Sequence, residues 1–569
     1  MRLPALVRSR LLGAVLLVAV AAPSRALLAQ QVSGTVRDSA SQLPLPGTVV
    51  LVLDPAGRPA ARSTTDQQGR FRLSPWGGKP GAKSAGRSTA KLRLRILRMG
   101  FRPVELPVGG MATGSGVDIA LVSFPVQLEE VLVVVPPSCP KRPDRAAALA
   151  VLQQVRTALF ATVVARSHNS ATMTRLLYTR AFDGDGGRVV DQSVRTRVTS
   201  ATSEPFTAER SAAVFDRTGF RDDGTGSHIY RGPDAETLVD DAFTEAYCFR
   251  LLAPERVRPM QVGLRFEPAQ RADTGHIDIV GTLWVDTLSR VLKDLTFRYV
   301  GLDAQTGALA PEGRLSFREL SNGVVLIDQW SIRLTGKLVA ARGPIVSRPD
   351  DYLATGSPRS VAREIGGEIS RASWPDGYSW KAPLGALRLR VVDGQGRPAG
   401  TSDVRLVETD YKASADASGM FVVTDLLPGP YTAAVRDPRL ASLDIASMRS
   451  FRFSAMRDST TEARVEVETA DDFVGKRCGT DTRGAGKAWL LARVMGADGR
   501  PVKDARWAIR DEFGSALVED GRVDPDGLFH WCQVPRNKRI SIDVWRDDRR
   551  ANASRIVIEP LTTLRFVLQ

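Results

Sequence analysis

Histidine and cysteine are scarce in this chain, with four of each among 569 residues. So small a supply of imidazole and thiolate leaves little material for a dense metal centre. None of the four histidines has a glutamate three residues on, which excludes the His-x-x-Glu pair of a zinc peptidase. His168, His228, His276 and His530 lie far apart, and the nearest to a pairing is His276-Ile277-Asp278, two side chains on one face of a strand. There is no G-x-S-x-G nucleophile turn, no phosphate-binding loop and no Cys-x-x-Cys. Asp222-Asp223 and Asp240-Asp241 are paired acids, but neighbouring carboxylates on a loop do not by themselves make an acid–base couple. Past the first 30 residues no apolar run approaches 18, so no further membrane-crossing helix is expected.

The start of the chain is a different matter. Arg2, Arg8 and Arg10 precede an uninterrupted small and apolar run, Leu11 to Ala22, and polar chain begins by Gln30. This is the layout of a secretory signal over residues 1–29, too short and wrongly flanked for a membrane span. Cleavage after Ala26 and cleavage after Ala29 both fit. No cysteine lies near, so no lipid anchor is expected. Export places the protein in the periplasm or at the outer membrane or cell surface.

The formal charge of +15 is scattered rather than striped, which argues against nucleic acid as a partner. Anionic lipid, an acidic surface polymer or simple solubility remain as its meaning. In an oxidising compartment four cysteines allow three pairings. Cys139 and Cys248 fall in one half of the chain and Cys478 and Cys532 in the other, and pairing within halves is expected.

One phrase occurs three times. Asp66-Gln67-Gln68-Gly69-Arg70-Phe71, Asp416-Ala417-Ser418-Gly419-Met420-Phe421 and Asp524-Pro525-Asp526-Gly527-Leu528-Phe529 all read D-x-x-G-x-F. The Asp can bond the backbone of its own turn, the Gly can take a left-handed conformation, and the Phe opens the returning strand with its ring in the core. Each copy follows an alternating β pattern, so three small β-sandwiches are expected. They occupy residues 30–138, 386–470 and 471–569. Single turn carboxylates fall short of the oxygens calcium takes, so no metal is assigned to them.

In the first module Gly34-Thr35-Val36, Pro46-Gly47, Asp66 to Phe71 and Gly100-Phe101 together resemble the carboxypeptidase regulatory-like domain. That resemblance implies a transthyretin-like sandwich, classed with carbohydrate-binding-like folds. Val126 to Val134 is similar to the segment where TonB-dependent receptors pass from such a domain to their plug, although too little chain follows for their barrel.

Residues 139–343 read as one α+β domain. Arg142 to Val164 is a helix that Asp144 can cap, with Leu149, Leu152, Val155 and Leu159 on one face and an Arg and Gln face toward solvent. Pro233 to Cys248 reads as a second helix. Ile277 to Asp286, Leu292 to Tyr299, Leu315 to Leu320 and Val324 to Leu334 form a meander, closed by the Asn322-Gly323 hairpin. A long helix on a curved antiparallel sheet follows.

Gly281-Thr282-Leu283-Trp284-Val285-Asp286 is similar to outer-membrane lipoprotein carriers. That likeness implies a groove for acyl chains, with Trp284 and Trp330 as candidate lining. With Asp241-Ala242-Phe243, Tyr247 to Leu251 and Val262 to Pro268, residues 31–338 resemble secreted bacterial proteins known by their carboxypeptidase regulatory-like domain. Residues 344–385, rich in Pro, Gly and Ser without period, read as linker.

The fold class is therefore mainly β, with three sandwiches around a helix-on-sheet domain. The expected function is non-enzymatic: binding of a saccharide, protein or lipid at the cell envelope, without a cofactor. The alternatives are a lipid carrier using the central half-barrel, and a hydrolase. The hydrolase would need Glu267, Asp278 or Asp286 in a cleft with a strongly raised pKa.

Overall fold

A computed structural model of the chain describes residues 32–73, 92–108, 116–123, 139, 144–168, 171–183, 187–200, 219–224, 227–252, 254–270, 276–303, 311–334, 362–479, 486–511, 516–556 and 559–569. The expected signal segment and the receptor-like segment Val126 to Val134 lie outside these residues.

The first module contains β1 (Val32–Asp38), β2 (Val49–Leu53), β3 (Pro59–Thr64), β4 (Arg70–Leu73), β5 (Arg93–Leu97), β6 (Val104–Pro107) and β7 (Val117–Leu121). They make two facing sheets, β4-β1-β7 and β3-β2-β5-β6. Val36, Val50, Val52, Phe71, Leu94 and Leu121 fill the space between them.

The central domain opens with α1 (Arg145–His168), followed by β8 (Thr172–Phe182), β9 (Val189–Thr199), β10 (Arg221–Gly224) and β11 (Ser227–Tyr230). Next come α2 (Ala235–Val239), α3 (Asp241–Ala246), β12 (Tyr247–Leu252), β13 (Gln261–Pro268), β14 (Asp278–Asp286) and β15 (Leu292–Val300). It ends with β16 (Pro311–Glu319), β17 (Val325–Leu334), β18 (Arg363–Ser373) and β19 (Ser379–Lys381). Apart from the separate β10–β11 hairpin, these strands build one sheet in the order β12-β13-β14-β15-β16-β17-β18-β8-β9, with β19 beside β18.

Three expectations are corrected here. The 344–385 segment is not all linker, because β18 sits inside the central sheet between β17 and β8. Its Gly366-Gly367 pair looks like loop in sequence. A Cβ on Gly366 would lie 2.4 Å from the Tyr178 ring, and one on Gly367 would lie 2.4 Å from Trp330 Nε1. The glycines make room for two aromatic side chains crossing the strand.

The polar side of α1 does not face solvent either. Gln154 accepts a hydrogen bond from Gly100 N of the first module, and Arg156 donates to Val239 O and Asp241. Leu149, Leu152, Val155 and Leu159 pack on the central sheet, while Ala161 and Val164 pack under Val49, Leu51 and Leu53 of β2. A helix covered on two sides can be apolar most of the way round. This explains why α1 is long and apolar enough to cross a membrane while much of it is buried inside the fold. The Asp144 carboxylate accepts from Leu251 N of β12. The second helix is two short ones, capped by Asp234 and Asp240, and Tyr247 already begins a strand.

The second module comprises β20 (Gly385–Val392), β21 (Asp403–Leu406), β22 (Lys412–Ser414), β23 (Met420–Leu426), β24 (Gly429–Arg436), α4 (Pro438–Ser442), β25 (Arg449–Ala455) and β26 (Thr460–Glu466). A connecting helix, α5 (Ala470–Cys478), leads to the third module. That module holds β27 (Lys487–Gly496), β28 (Arg506–Arg510), β29 (Leu517–Arg522), β30 (Leu528–Pro535), β31 (Arg539–Arg546), β32 (Arg549–Ile556) and β33 (Leu561–Leu568). Both modules repeat the arrangement of the first, as β23-β20-β26 on β22-β21-β24-β25 and β30-β27-β33 on β29-β28-β31-β32. In all three the first strand pairs in parallel with the last.

The D-x-x-G-x-F turns behave as their chemistry requires. Asp66 accepts from the amides of Gln68 and Arg70, Asp416 from Ser418 and Met420, and Asp524 from Asp526 and Leu528. Gly69, Gly419 and Gly527 have φ of 70°, 75° and 72°, a left-handed conformation that favours glycine. Phe71, Phe421 and Phe529 are buried.

The second module is seated on the outer face of the central sheet. Leu176 and Val194 join its core alongside Leu387, Leu427 and Tyr431. Val194 N donates to Glu408 O across the junction. Arg457 makes a two-pronged contact with Glu368 of β18, at 2.7 and 2.6 Å, and Asp425 holds Arg371 and Lys381. The disulfides join Cys139 to Cys248 and Cys478 to Cys532, the pairing within halves.

Candidate ligand-binding surface

Central-sheet side chains alternate between a face packed on α1, α2 and α3 and an outer face. Ile279, Leu283, Leu295, Phe297, Leu315 and Ile332 line the helix side, and Trp330, opposite Leu315, lies with them. Trp284 stands opposite Asp294 on the other face, beneath the Arg258 guanidinium at 4.7 Å from its ring. The two tryptophans therefore do not line one groove. Trp284 is 4% exposed. Its replacement by alanine should destabilise the central domain by about 3–5 kcal/mol, read as a lowered thermal midpoint. An unchanged midpoint would mean the ring is not core.

Trp374 is also buried, packed with Tyr378 and Trp380 against Leu320 and Val324. It offers no exposed sugar platform.

Four of the acids singled out in the sequence, Asp240, Asp241, Asp278 and Asp286, have structural work. Asp240 caps α3, and Asp241 pairs with Arg156 at 2.6 Å. Asp278 accepts from the Tyr247 hydroxyl. Asp286 accepts from Leu288 N, Ser289 N and Ser289 Oγ, and these hydrogen bonds hold its carboxyl below the usual carboxylate range. That is opposite to what an acid catalyst needs. Asp328 is pushed up by burial, but it lies under Arg318 on the sheet. The side chains of Asp222, Asp223, His168 and His228 lie outside what is described.

Two concavities stand out among the described residues. One, of about 290 Å³, lies where the first module meets α1 and the β14–β15 and β16–β17 turns. Arg98 reaches into this junction and pairs with Glu319 at 2.7 Å, and Leu45, Phe101, Leu288 and Arg290 line it. It is a seam between modules whose charges already have partners.

The other, of about 330 Å³, lies along the outer face of β22-β21-β24-β25 in the second module. Strand pairing places Lys412 opposite Arg405, Ser414 opposite Asp403 and Arg452 opposite Thr432, with Arg436 and Met448 completing the floor. Arg405, Lys412, Arg436 and Arg452 are exposed. Asp403 contacts Arg436 at 3.6 Å and accepts from Ser414. Arg405 points its guanidinium at Met448 Sδ, 3.9 Å away.

The corresponding faces of the other modules differ. In the first, Val49, Leu51 and Leu53 are covered by α1. In the third, Arg506 and Arg510 are offset by Asp520 opposite Ala508 and by Asp543, which is 3.6 Å from Arg510. Arg546, in the basic tail of that module, lies 3.8 Å from Asp547. The second-module face was not singled out in sequence. Its signal is polar residues at alternate positions of four short strands, and only the pairing brings them together.

No known protein family and no curated protein matches the chain. Among solved structures it has likeness to the Bacillus anthracis TIE protein, at 9% identity over 60% of this chain and 62% of that one, with TM-score 0.15. The Streptococcal ancillary pilin is 10% identical over 45% and 81%, TM-score 0.15. The 3-chlorocatechol 1,2-dioxygenase of Rhodococcus opacus 1CP is 10% identical over 16% and 62%, TM-score 0.12. The chain thus spans less than two thirds of the TIE protein and of the dioxygenase. Likeness at these scores carries no argument about function. The class rests on the molecule itself: a multidomain, mainly β protein of three sandwiches around a helix-on-sheet domain.

Proposed function

We propose that this chain is an exported, non-enzymatic binding protein of the cell envelope that holds an acidic saccharide polymer on its second module. The observation that supports this is the outer face of β22-β21-β24-β25, where Arg405, Lys412 and Arg436 surround one carboxylate, Asp403, along an open concavity, and Arg452 stands further along the same face. Guanidinium and ammonium groups at strand spacing suit carboxylates repeated along a polymer. The face carries no aromatic ring on which bases would stack, and no Trp or Tyr anchor of the kind that dominates protein interfaces.

The test is affinity electrophoresis of the chain in gels containing polygalacturonate or, as a neutral control, dextran. Retardation by polygalacturonate alone is expected, weakening as salt rises. The double variant Arg405→Glu, Lys412→Glu should bind at least about tenfold more weakly while keeping its thermal midpoint, because both side chains are exposed. Equal retardation of the variant and the parent chain, or no retardation of either, would sink this reading.

A further inference from the structure

A cluster of two cysteines and a histidine lies between α5 and β30. Leu528, His530 and Cys532 alternate along β30, and Leu528 and Cys532 belong to the apolar cluster formed with α5. On α5 a capping box, Thr469 with Asp472, fixes the first turn. Cys478 closes the last turn and bonds to Cys532. Cys478 Sγ, Cys532 Sγ and an imidazole nitrogen of His530 all lie within 4.8 Å of one another, and all three residues are half-buried.

Two features bear on what this trio does when the sulfur–sulfur bond is opened. First, α5 is held on β30 by more than that bond. Phe473 and Val474 pack with Trp489, Leu491, Leu528 and Leu561, and Leu440 and Leu443 of the second module join them. The sulfurs would therefore stay close together after reduction. Second, the donors converge: His530 and Cys532, two apart on β30, share the strand face that α5 and its Cys478 cover.

We infer that Cys478, Cys532 and His530 form a redox-gated site for a thiolate-binding divalent cation of the zinc class, closed as a disulfide and opened by a thiol or phosphine reductant. The reductant supplies two electrons, two protons are taken up, and the S–S bond becomes two thiols. On binding, the cation displaces both thiol protons and accepts a lone pair from the His530 nitrogen. The result is a Cys₂His set with its fourth position open to water. Two thiolates balance the charge of the cation. Thiolate with imidazole is a donor set that suits zinc and disfavours magnesium or calcium.

The experiment uses the whole chain, with Co²⁺ as the probe. After phosphine reduction and removal of the phosphine under argon, one equivalent of Co²⁺ should produce thiolate-to-cobalt charge-transfer absorption and tetrahedral d–d bands. Both should be abolished by excess Zn²⁺, and neither should appear in the oxidised chain. Cys532→Ser should remove the charge-transfer band, Cys139→Ser with Cys248→Ser, whose bridge the reductant also opens, should leave it, and His530→Gln, a mild change at a half-buried position, should weaken Co²⁺ binding at least about tenfold. Circular dichroism on the reduced, metal-free chain checks that the module is folded. The inference is overturned if the reduced chain gives no charge-transfer band, if the band survives Cys532→Ser, or if His530→Gln binds as the parent does. It is equally overturned if reduction unfolds the third module, since the site requires the packing to outlast the bond.

Discussion

Replacing Arg457 with alanine is expected to lower stability by about 3 kcal/mol, a large effect for a residue on a surface turn. Its guanidinium grips both oxygens of Glu368, a residue only 6% exposed at the centre of the seam between the second module and the central sheet. Removing the cation leaves a buried carboxylate without its counter-charge, and breaking such a pair from one side costs about 3–5 kcal/mol. The low end applies because Arg457 is 39% exposed and water partly replaces it. Asp328 lies close enough to raise the cost further, since its charge also acts on Arg457. The measurement is urea unfolding of the single variant and of the double variant Arg457→Ala, Glu368→Gln. The double variant should recover part of the loss, because neutralising the acid removes the uncompensated charge. Equal midpoints for Arg457→Ala and the parent would mean that the pair contributes nothing to the seam.

A larger loss is expected when Cys139 and Cys248 are both changed to serine. They are 109 residues apart, and in the chain-entropy picture a bridge closing a loop of ~100 residues stabilises by about 4–5 kcal/mol. This bond ties the chain leaving the first module to β12, the strand at the free edge of the central sheet. Guanidinium unfolding followed by tryptophan fluorescence should show the central transition moved to lower denaturant, with β12 the first element to lose amide protection in hydrogen exchange. A transition unmoved by the double change would show that the unfolded chain is already held compact by other means.

These energies fall at junctions, and the junctions were the hardest part of the molecule to read from sequence. The D-x-x-G-x-F turns were legible because every interaction in them is local: an Asp to amides two and four residues on, and a glycine at positive φ. The meander from β14 to β17 was legible for the same reason, through its alternation and the Asn322-Gly323 turn. β18 was not. Its reason for existing lies in Tyr178 and Trp330, residues far away in the chain, and locally a Gly-Gly pair in a Pro- and Ser-rich stretch reads as loop.

The second covered side of α1 was hidden in the same way. Ala161 and Val164 look unremarkable until Val49, Leu51 and Leu53 are set against them. The run Thr48 to Leu53 held a usable signal, because continuous apolar residues in a strand imply burial on both faces. His530 and Cys532, two apart on a strand, share a face by simple alternation. What sequence cannot supply is Cys478 on a helix packed across them. The cationic face of the second module is likewise a product of strand order rather than of any one segment.

The parallel pairing of first and last strands in every sandwich has a mechanical consequence. Because β1 and β7 run in the same direction, as do β20 with β26 and β27 with β33, the chain enters each module at one end of that pair and leaves at the other. Tension applied through the polypeptide then draws the two strands past each other lengthwise. Their ladder of hydrogen bonds is loaded in shear, all rungs together, instead of being unzipped rung by rung. Three such clamps lie along one chain, so a pull applied between its two ends would load each module across its strongest direction.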